Sequence, residues 1–178
     1  GFMLPHQPFV ARLGDYEYYY RNMFPPRHPE PFGEGLHPHI KKWREACGIT
    51  EVSEDETRRA RAAYWALVDR MDILIGQILA SLEANGLAED TLIVYMSDQG
   101  EQAGEHGLWW KQTFYEDSVK VPAILWWPGQ IPAGTRSKRV VSSLDLNATI
   151  VSALGCPALP HSRGRDLLPL LRQPETIQ

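Results

Sequence analysis

The feature that most constrains the fold is a long amphipathic stretch in the middle of the chain. Ser53 and Glu56 form the S-x-x-E pattern that caps the N-terminus of a helix. Asn85-Gly86 is typical of the left-handed turn that ends one. Between these signals, apolar side chains recur at intervals of three and four residues and share one helix face: Ala60, Tyr64, Leu67, Met71, Leu74, Ile78 and Leu82. The pattern predicts one long helix that packs along a single apolar stripe.

Short β-rich runs follow this helix. Residues 91–96 are mostly apolar and predict a strand buried on both faces of a parallel sheet. Residues 123–127 and 139–142 predict two further strands. Asp145 is expected to cap a helix that ends at Gly155. Helices and strands in this order predict an α/β layered fold.

Residues 1–50 differ in character from the rest of the chain. Prolines interrupt any long helical period there, at positions 5, 8, 25, 26, 29, 31 and 38. We expect a largely irregular segment with a short helix near Asp15–Asn22. We treat residues 1–178 as one incomplete α/β domain, with its helices and sheet in residues 51–178.

Composition excludes several classes of function. The 18 basic and 22 acidic side chains give a net charge of −4, which is not typical of a nucleic-acid-binding protein. No apolar run approaches the ~18 residues of a membrane span. Cys47 and Cys156 are too few for a disulfide framework and lack zinc-site spacing. On these grounds we expect neither a nucleic acid nor a membrane as the partner.

Oxygen donors follow the first strand. Asp98 and Gln99 come directly after Ser97, and Gly100 lets the backbone turn. Ligands often bind beyond the carboxyl ends of strands in α/β sheets, and carboxylate and carboxamide oxygens suit Ca²⁺ or Mg²⁺. Taken alone, however, the same residues are typical of an ordinary turn, since turn formers dominate such positions.

A glycine-punctuated loop, residues 104–111, ends in Lys111 among aromatic side chains. That lysine either presents a point charge to an anionic oxygen or is simply solvated. Glu101 and Glu105 either support such a site or face water. His37 and His39 offer a metal-binding pair or a surface loop.

These motifs, in this order and spacing, resemble the C-terminal half of the sulfatase catalytic domain. The similar runs are Ser97–Gly100, Gly104–Gly107, Lys111, Tyr115-Glu116 and Val121-Pro122, with Pro5–Phe9 near the start. The resemblance is closest to choline-sulfatase-like and arylsulfatase-like members of the alkaline phosphatase superfamily. It implies an alkaline-phosphatase-like α/β fold, of which this chain is the C-terminal portion.

The resemblance also implies site roles. Asp98 and Gln99 match a pair of calcium ligands, with Mg²⁺ as an alternative cation. Lys111 matches the lysine that contacts the sulfate group, and His6 matches the histidine that faces the ester and its leaving oxygen. The implied activity is hydrolysis of a small-molecule sulfate ester. Gln99 favours sulfate over phosphate esters, because the related two-zinc phosphatases place His at this position.

One family feature is missing from these residues. Sulfatases use a formylglycine nucleophile made from Cys or Ser in a C/S-x-P-x-R motif, and the sequence around Cys47 or Cys156 does not fit it. The family's first pair of metal-binding aspartates also has no equivalent here. We therefore expect both upstream of Gly1, in a longer protein, and expect this chain alone to be inactive. The alternatives are a phosphonate or phosphodiester hydrolase, or a non-catalytic remnant that binds an anion or a partner.

Overall fold

The computed structural model describes residues 1–30 and 35–173, so Pro31 lies outside the described residues. Backbone contacts divide the chain into two compact units. The first contains Gly1–Ser81 and Gln99–Val121, and the second contains Leu82–Asp98 and the residues from Pro122 onward. The elements in chain order are α1 (Leu13–Asn22), α2 (Pro38–Ala46), α3 (Glu54–Ala84), β1 (Ile93–Met96), α4 (Glu116–Val119), β2 (Ala123–Trp126), α5 (Ser143–Ala153) and α6 (Leu168–Arg172).

The long helix is confirmed as α3, together with both of its end signals. Ser53 Oγ accepts a hydrogen bond from the Glu56 backbone N–H at 3.2 Å, and a Glu56 carboxylate oxygen accepts one from the Ser53 N–H at 2.9 Å. At the other end, Gly86 has φ +67°. The N–H groups of Gly86 and Leu87 donate to the carbonyls of Glu83 and Leu82, which satisfies groups that a helix end otherwise leaves unpaired. No helix in the described part of the chain is long and apolar enough to cross a membrane.

The first fifty residues hold more helix than predicted. The helix expected near Asp15–Asn22 is confirmed and begins two residues earlier, as α1. Helix α2 was not predicted, because Pro38 was interpreted as a helix breaker. Pro38 instead stands in the first turn of α2, where its missing N–H would have no helical partner anyway. His37 Nδ1 accepts from the His39 N–H at 3.2 Å and caps the helix.

The core of the first unit gathers segments that are distant in sequence. Ile49, Ala103 and Trp109 are buried together. Phe9 packs near Trp109 and also meets Tyr64 of α3 edge to face, with ring centroids 5.5 Å apart. The apolar stripe of α3 therefore holds both the N-terminal segment and the loop that carries Lys111 in this unit.

The sheet of the second unit differs from the prediction. Strands β1 and β2 pair antiparallel, with Ile93 opposite Trp126 and Met96 opposite Ala123. The prediction of a parallel sheet buried on both faces is therefore wrong for the described residues: Ile124, for example, is 58% exposed. An apolar run shows β propensity but does not identify the partner strand or the direction of pairing.

The strand predicted at 139–142 is also wrong, because these residues form no strand and Val140 is 92% exposed. The helix expected after it is confirmed as α5, with a corrected cap. Ser142 is the N-cap residue, and Asp145 is the third helical residue, whose carboxylate accepts from the Ser142 N–H at 2.9 Å. The other Asp145 oxygen accepts from the Arg165 N–H at 2.8 Å, so this carboxylate also anchors a later segment.

Candidate active site

His6 and Lys111 are brought together although 105 residues separate them in sequence. Lys111 Nζ lies 2.7 Å from His6 Nε2. His6 Nδ1 lies 2.7 Å from the backbone carbonyl oxygen of Gln7. Because a carbonyl can only accept, Nδ1 carries the hydrogen and Nε2 of the neutral ring accepts from the Lys111 ammonium. The pair therefore places an ammonium group beside an imidazole nitrogen whose ring is oriented by the Gln7 carbonyl.

The loop that ends at Lys111, which in the structure extends over residues 100–111, is held by hydrogen bonds within its own backbone. Its left-handed residues are Ala103 (φ +47°), Gly104 (+90°), His106 (+56°), Gly107 (+63°) and Trp110 (+65°). The Gln102 N–H donates to the Trp110 carbonyl at 2.9 Å, and the Gly104 N–H donates to the Leu108 carbonyl at 2.8 Å. These bonds close the loop and present Lys111 at its end.

Gly100 begins this loop at a close backbone approach. Its N–H donates to the Ser118 carbonyl at 2.8 Å. A Cβ at this position would lie 2.0 Å from the Asp117 carbonyl oxygen, so no larger residue fits without a backbone shift. The glycine that the sequence analysis interpreted as a turn former is thus needed for the contact between the loop and α4.

Glu101 is a half-buried carboxylate in the same loop. Its Oε1 accepts from the Ala103 N–H at 3.0 Å and from the Trp110 N–H at 2.6 Å. Burial raises the pKa of Glu101, whereas the two backbone hydrogen bonds and nearby Lys111 and His6 act to lower it. Glu101 therefore does not simply face water, which was one of the two alternatives left open for it.

Glu105 and Arg61 form a buried ion pair, which the sequence analysis did not foresee for Arg61. Arg61 Nη1 lies 3.6 Å from Glu105 Oε1 and donates to the Ala103 carbonyl at 2.6 Å. The two Glu105 oxygens accept from the backbone N–H groups of Arg27 and His28. One feature of the sequence could have indicated that Arg61 is buried. It lies three residues before Tyr64 on α3, next to the apolar stripe of that helix.

Asp98 and Gln99 follow β1 as predicted, and Asp98 is exposed while Gln99 is half-buried. Asp98 belongs to the second unit and Gln99 to the first. Within residues 1–30 and 35–173, no group of three or more His, Cys, Asp or Glu side chains is placed to hold a metal ion. The donor set still fits a hard cation, since both side chains offer oxygen, but it supplies two of the ~6–8 ligands that Ca²⁺ takes.

The chain is similar to known sulfatases over nearly its whole length. A sequence model of the sulfatase family matches residues 2–156. The choline-sulfatase of Rhizobium meliloti (strain 1021) is 31% identical over 185 residues, covering 100% of this chain and 36% of that protein. Arylsulfatase K of Gallus gallus is 36% identical over 121 residues, covering 68% of this chain and 22% of that protein.

Solved structures agree with the sequence relatives. The phosphonate monoester hydrolase from Silicibacter pomeroyi superimposes with a TM-score of 0.82 at 26% identity, covering 98% of this chain and 37% of that one. The chain thus spans about a third or less of the length of the proteins it matches. The similarity confirms the predicted fold class, the alkaline-phosphatase-like α/β fold in partial form, and the resemblance on which it rested. The chain belongs to the sulfatase family.

Proposed function

We propose that the protein containing this chain hydrolyses small-molecule sulfate esters, and that Lys111 and His6 contact the ester group. The observation that carries the proposal is the 2.7 Å approach of Lys111 Nζ to His6 Nε2 across 105 residues of sequence. The loop that presents that lysine holds three non-glycine residues in the left-handed region, and the half-buried Glu101 carboxylate binds its backbone. Such an arrangement is costly for a lysine whose only role is to be solvated.

The two side chains have complementary chemistry. The Lys111 ammonium offsets negative charge on sulfate oxygens, and most of all the charge that develops as the ester bond breaks. The His6 ring is oriented by its bond to the Gln7 carbonyl, so Nε2 is the nitrogen that faces the site. To act as the acid, Nε2 would first give up the hydrogen bond from Lys111 and take up a proton, which it could then donate to the departing ester oxygen.

Calcium is part of this proposal, with magnesium as the alternative. Asp98 and Gln99 would contribute one carboxylate and one carboxamide oxygen, and further ligands would come from elsewhere in the protein. The bound cation would supply additional positive charge toward the sulfate oxygens. The formylglycine nucleophile belongs to the same proposal, in a C/S-x-P-x-R motif outside these 178 residues.

Hydrolysis of phosphonate monoesters is the second candidate. It is favoured by the TM-score of 0.82 to a phosphonate monoester hydrolase over 98% of this chain. A lysine and a histidine that bind an anionic group together serve both chemistries, because both transition states carry negative charge on oxygen. Gln99 speaks only against a two-zinc phosphatase, since a carboxamide oxygen suits a single hard cation better than a pair of zinc ions, so the choice between the two esters is left to the assay below.

The test uses the full-length protein with an aryl sulfate and a phosphonate monoester. We expect Lys111→Ala to lower kcat/KM for the preferred ester by about 10²–10³-fold, as for loss of one transition-state donor, and His6→Ala to lower it as well. Lys120→Ala and His39→Ala are matched controls, because the Lys120 side chain is 79% exposed in its ion pair with Glu116 and His39 is an exposed residue of α2.

Each outcome separates the candidates. A higher kcat/KM for the aryl sulfate supports the sulfatase proposal, and a higher value for the phosphonate monoester supports the second candidate. Unchanged kcat/KM in the Lys111 and His6 variants contradicts their placement at the ester. No turnover of either ester, together with Lys111-dependent binding of inorganic sulfate, identifies the non-catalytic anion-binding alternative.

A further inference from the structure

We infer that Glu101 is a positioning residue that holds Lys111 in register with His6; this inference rests on the proposed function of that pair. Glu101 precedes Lys111 by ten residues and lies in the same loop. It is no metal ligand or ester contact in this proposal. Its role is to determine the backbone conformation from which Lys111 projects.

The first support is the identity of the two groups that Glu101 binds. One oxygen, Oε1, accepts from the N–H groups of both Ala103 and Trp110. Ala103 and Trp110 have φ of +47° and +65°, in the left-handed region that a residue with a Cβ rarely adopts. A single carboxylate oxygen thus compensates the two non-glycine residues whose conformation is least favourable at the two ends of the loop.

The second support is the place of Trp110 directly before Lys111. Its N–H binds Glu101 and its carbonyl accepts from the Gln102 N–H at 2.9 Å. Both backbone hydrogen-bonding groups of Trp110 are therefore bound to the short segment 101–102. The peptide that leads into Lys111 has little freedom left, and Nζ reaches His6 Nε2 at 2.7 Å from that fixed point.

The third support is the setting of the carboxylate. Glu101 is partly shielded from solvent, so water competes weakly for its carboxylate. Its hydrogen bonds to the two backbone N–H groups are therefore stronger than they would be in water. Lys111 and His6 lie close enough to influence its charge. Loss of the carboxylate would leave the two N–H groups without this acceptor, and the loop could relax toward right-handed conformations that move Lys111.

The test is a double-mutant cycle in the full-length protein, measured with the ester it prefers. Glu101→Ala is expected to lower kcat/KM by about 10–100-fold, the effect of displacing a catalytic group by about 1 Å. Glu101→Gln is expected to recover most of that loss, because an amide oxygen has two lone pairs and can accept both N–H groups. Glu116→Ala is the matched control, since its side chain is 79% exposed.

The cycle also includes Lys111→Ala and the double variant Glu101→Ala/Lys111→Ala. If Glu101 acts through Lys111, the double variant is no slower than Lys111→Ala alone. Losses that multiply, or a Glu101→Gln variant as slow as Glu101→Ala, would overturn the inference. If Glu101→Ala does not fold, Glu101→Asp replaces it, since its shorter side chain cannot span both N–H groups; multiplying losses would again overturn the inference.

The same experiment keeps the two proposals apart. Unchanged kcat/KM in Lys111→Ala contradicts the proposed function itself. A large loss in Lys111→Ala with wild-type kcat/KM in Glu101→Ala contradicts only the positioning role of Glu101.

Discussion

Replacing Arg61 by methionine is expected to destabilise the first unit strongly. The Arg61 and Glu105 side chains are only 5% and 10% exposed, and their charged atoms lie 3.6 Å apart. Removing one partner of a buried ion pair costs about 3–5 kcal/mol, because the other charge stays in a medium of low polarity. Burial lowers the pKa of Arg61 and Glu105 opposes that shift, in keeping with mutual dependence.

Two corrections act on this figure in opposite directions. The Glu105 carboxylate keeps the N–H groups of Arg27 and His28, which reduces the cost of losing Arg61. The Ala103 carbonyl loses the 2.6 Å hydrogen bond that Arg61 Nη1 donates to it, and an unsatisfied buried acceptor costs about 1–3 kcal/mol. We therefore expect a net loss of about 3–5 kcal/mol in the free energy of unfolding.

Arg59→Met is the matched control on the same helix. Arg59 pairs with Asp55 at 3.0 Å, but both side chains are more than half exposed. Such a pair contributes about 0.3–0.5 kcal/mol, and Arg and Met have nearly equal helix propensity.

The assay is urea unfolding of the full-length protein by tryptophan fluorescence, with hydrogen exchange of residues 101–111 as the local readout. Exchange in that loop is expected to accelerate in Arg61→Met and to stay unchanged in Arg59→Met. If the two variants unfold within about 0.5 kcal/mol of each other, the ion pair is not buried as described and the reasoning fails.

Three further outcomes are expected of the full-length protein. Gly100→Ala should lower the urea midpoint, because its Cβ would lie 2.0 Å from a carbonyl oxygen, whereas Gly76→Ala, in open space on α3, should raise stability by about 0.5–1 kcal/mol; equal effects would contradict the close approach. Thr149→Val should cost about 1–3 kcal/mol, since the buried hydroxyl accepts from the Leu167 N–H at 2.9 Å; wild-type stability would show that this N–H finds another acceptor. Because burial raises the pKa of Glu101, the folded protein binds its proton more tightly than the unfolded chain, and this group's contribution to stability falls as pH rises above 4.5. Glu101→Gln should therefore gain stability relative to wild type from pH 4.5 toward neutrality, and parallel midpoint curves would argue against the raised pKa.

Features encoded within one turn or one period were predictable from the sequence. Helix α3 follows from its stripe and from the Ser53 and Gly86 end signals, all read within a single segment. The errors arose where a local rule had two outcomes. Pro38 breaks a helix in its interior but begins one in the first turn. Asp145 and Ser142 are both good N-cap residues, and only the backbone shows which of them is the cap.

Pairing and burial were not predictable in the same way. The apolar run of β1 does not specify whether its partner runs parallel or antiparallel, because side chains alternate identically in both cases. No local sequence pattern distinguishes Glu101 and Glu105 from exposed glutamates. The contacts that bury Glu105 come from α3 and from the N-terminal segment, which lie far away along the chain, and Glu101 is enclosed by the fold of its own loop.

The sequence by itself thus determined the long helix, the glycine-punctuated loop before Lys111 and the family to which the motifs belong. Only the tertiary structure decided that His6 meets Lys111 and that Arg61 is buried against Glu105. The physical reason is range. Helix periodicity and caps involve neighbours within a few residues, whereas the charge state and position of a side chain depend on segments that meet only when the chain has folded.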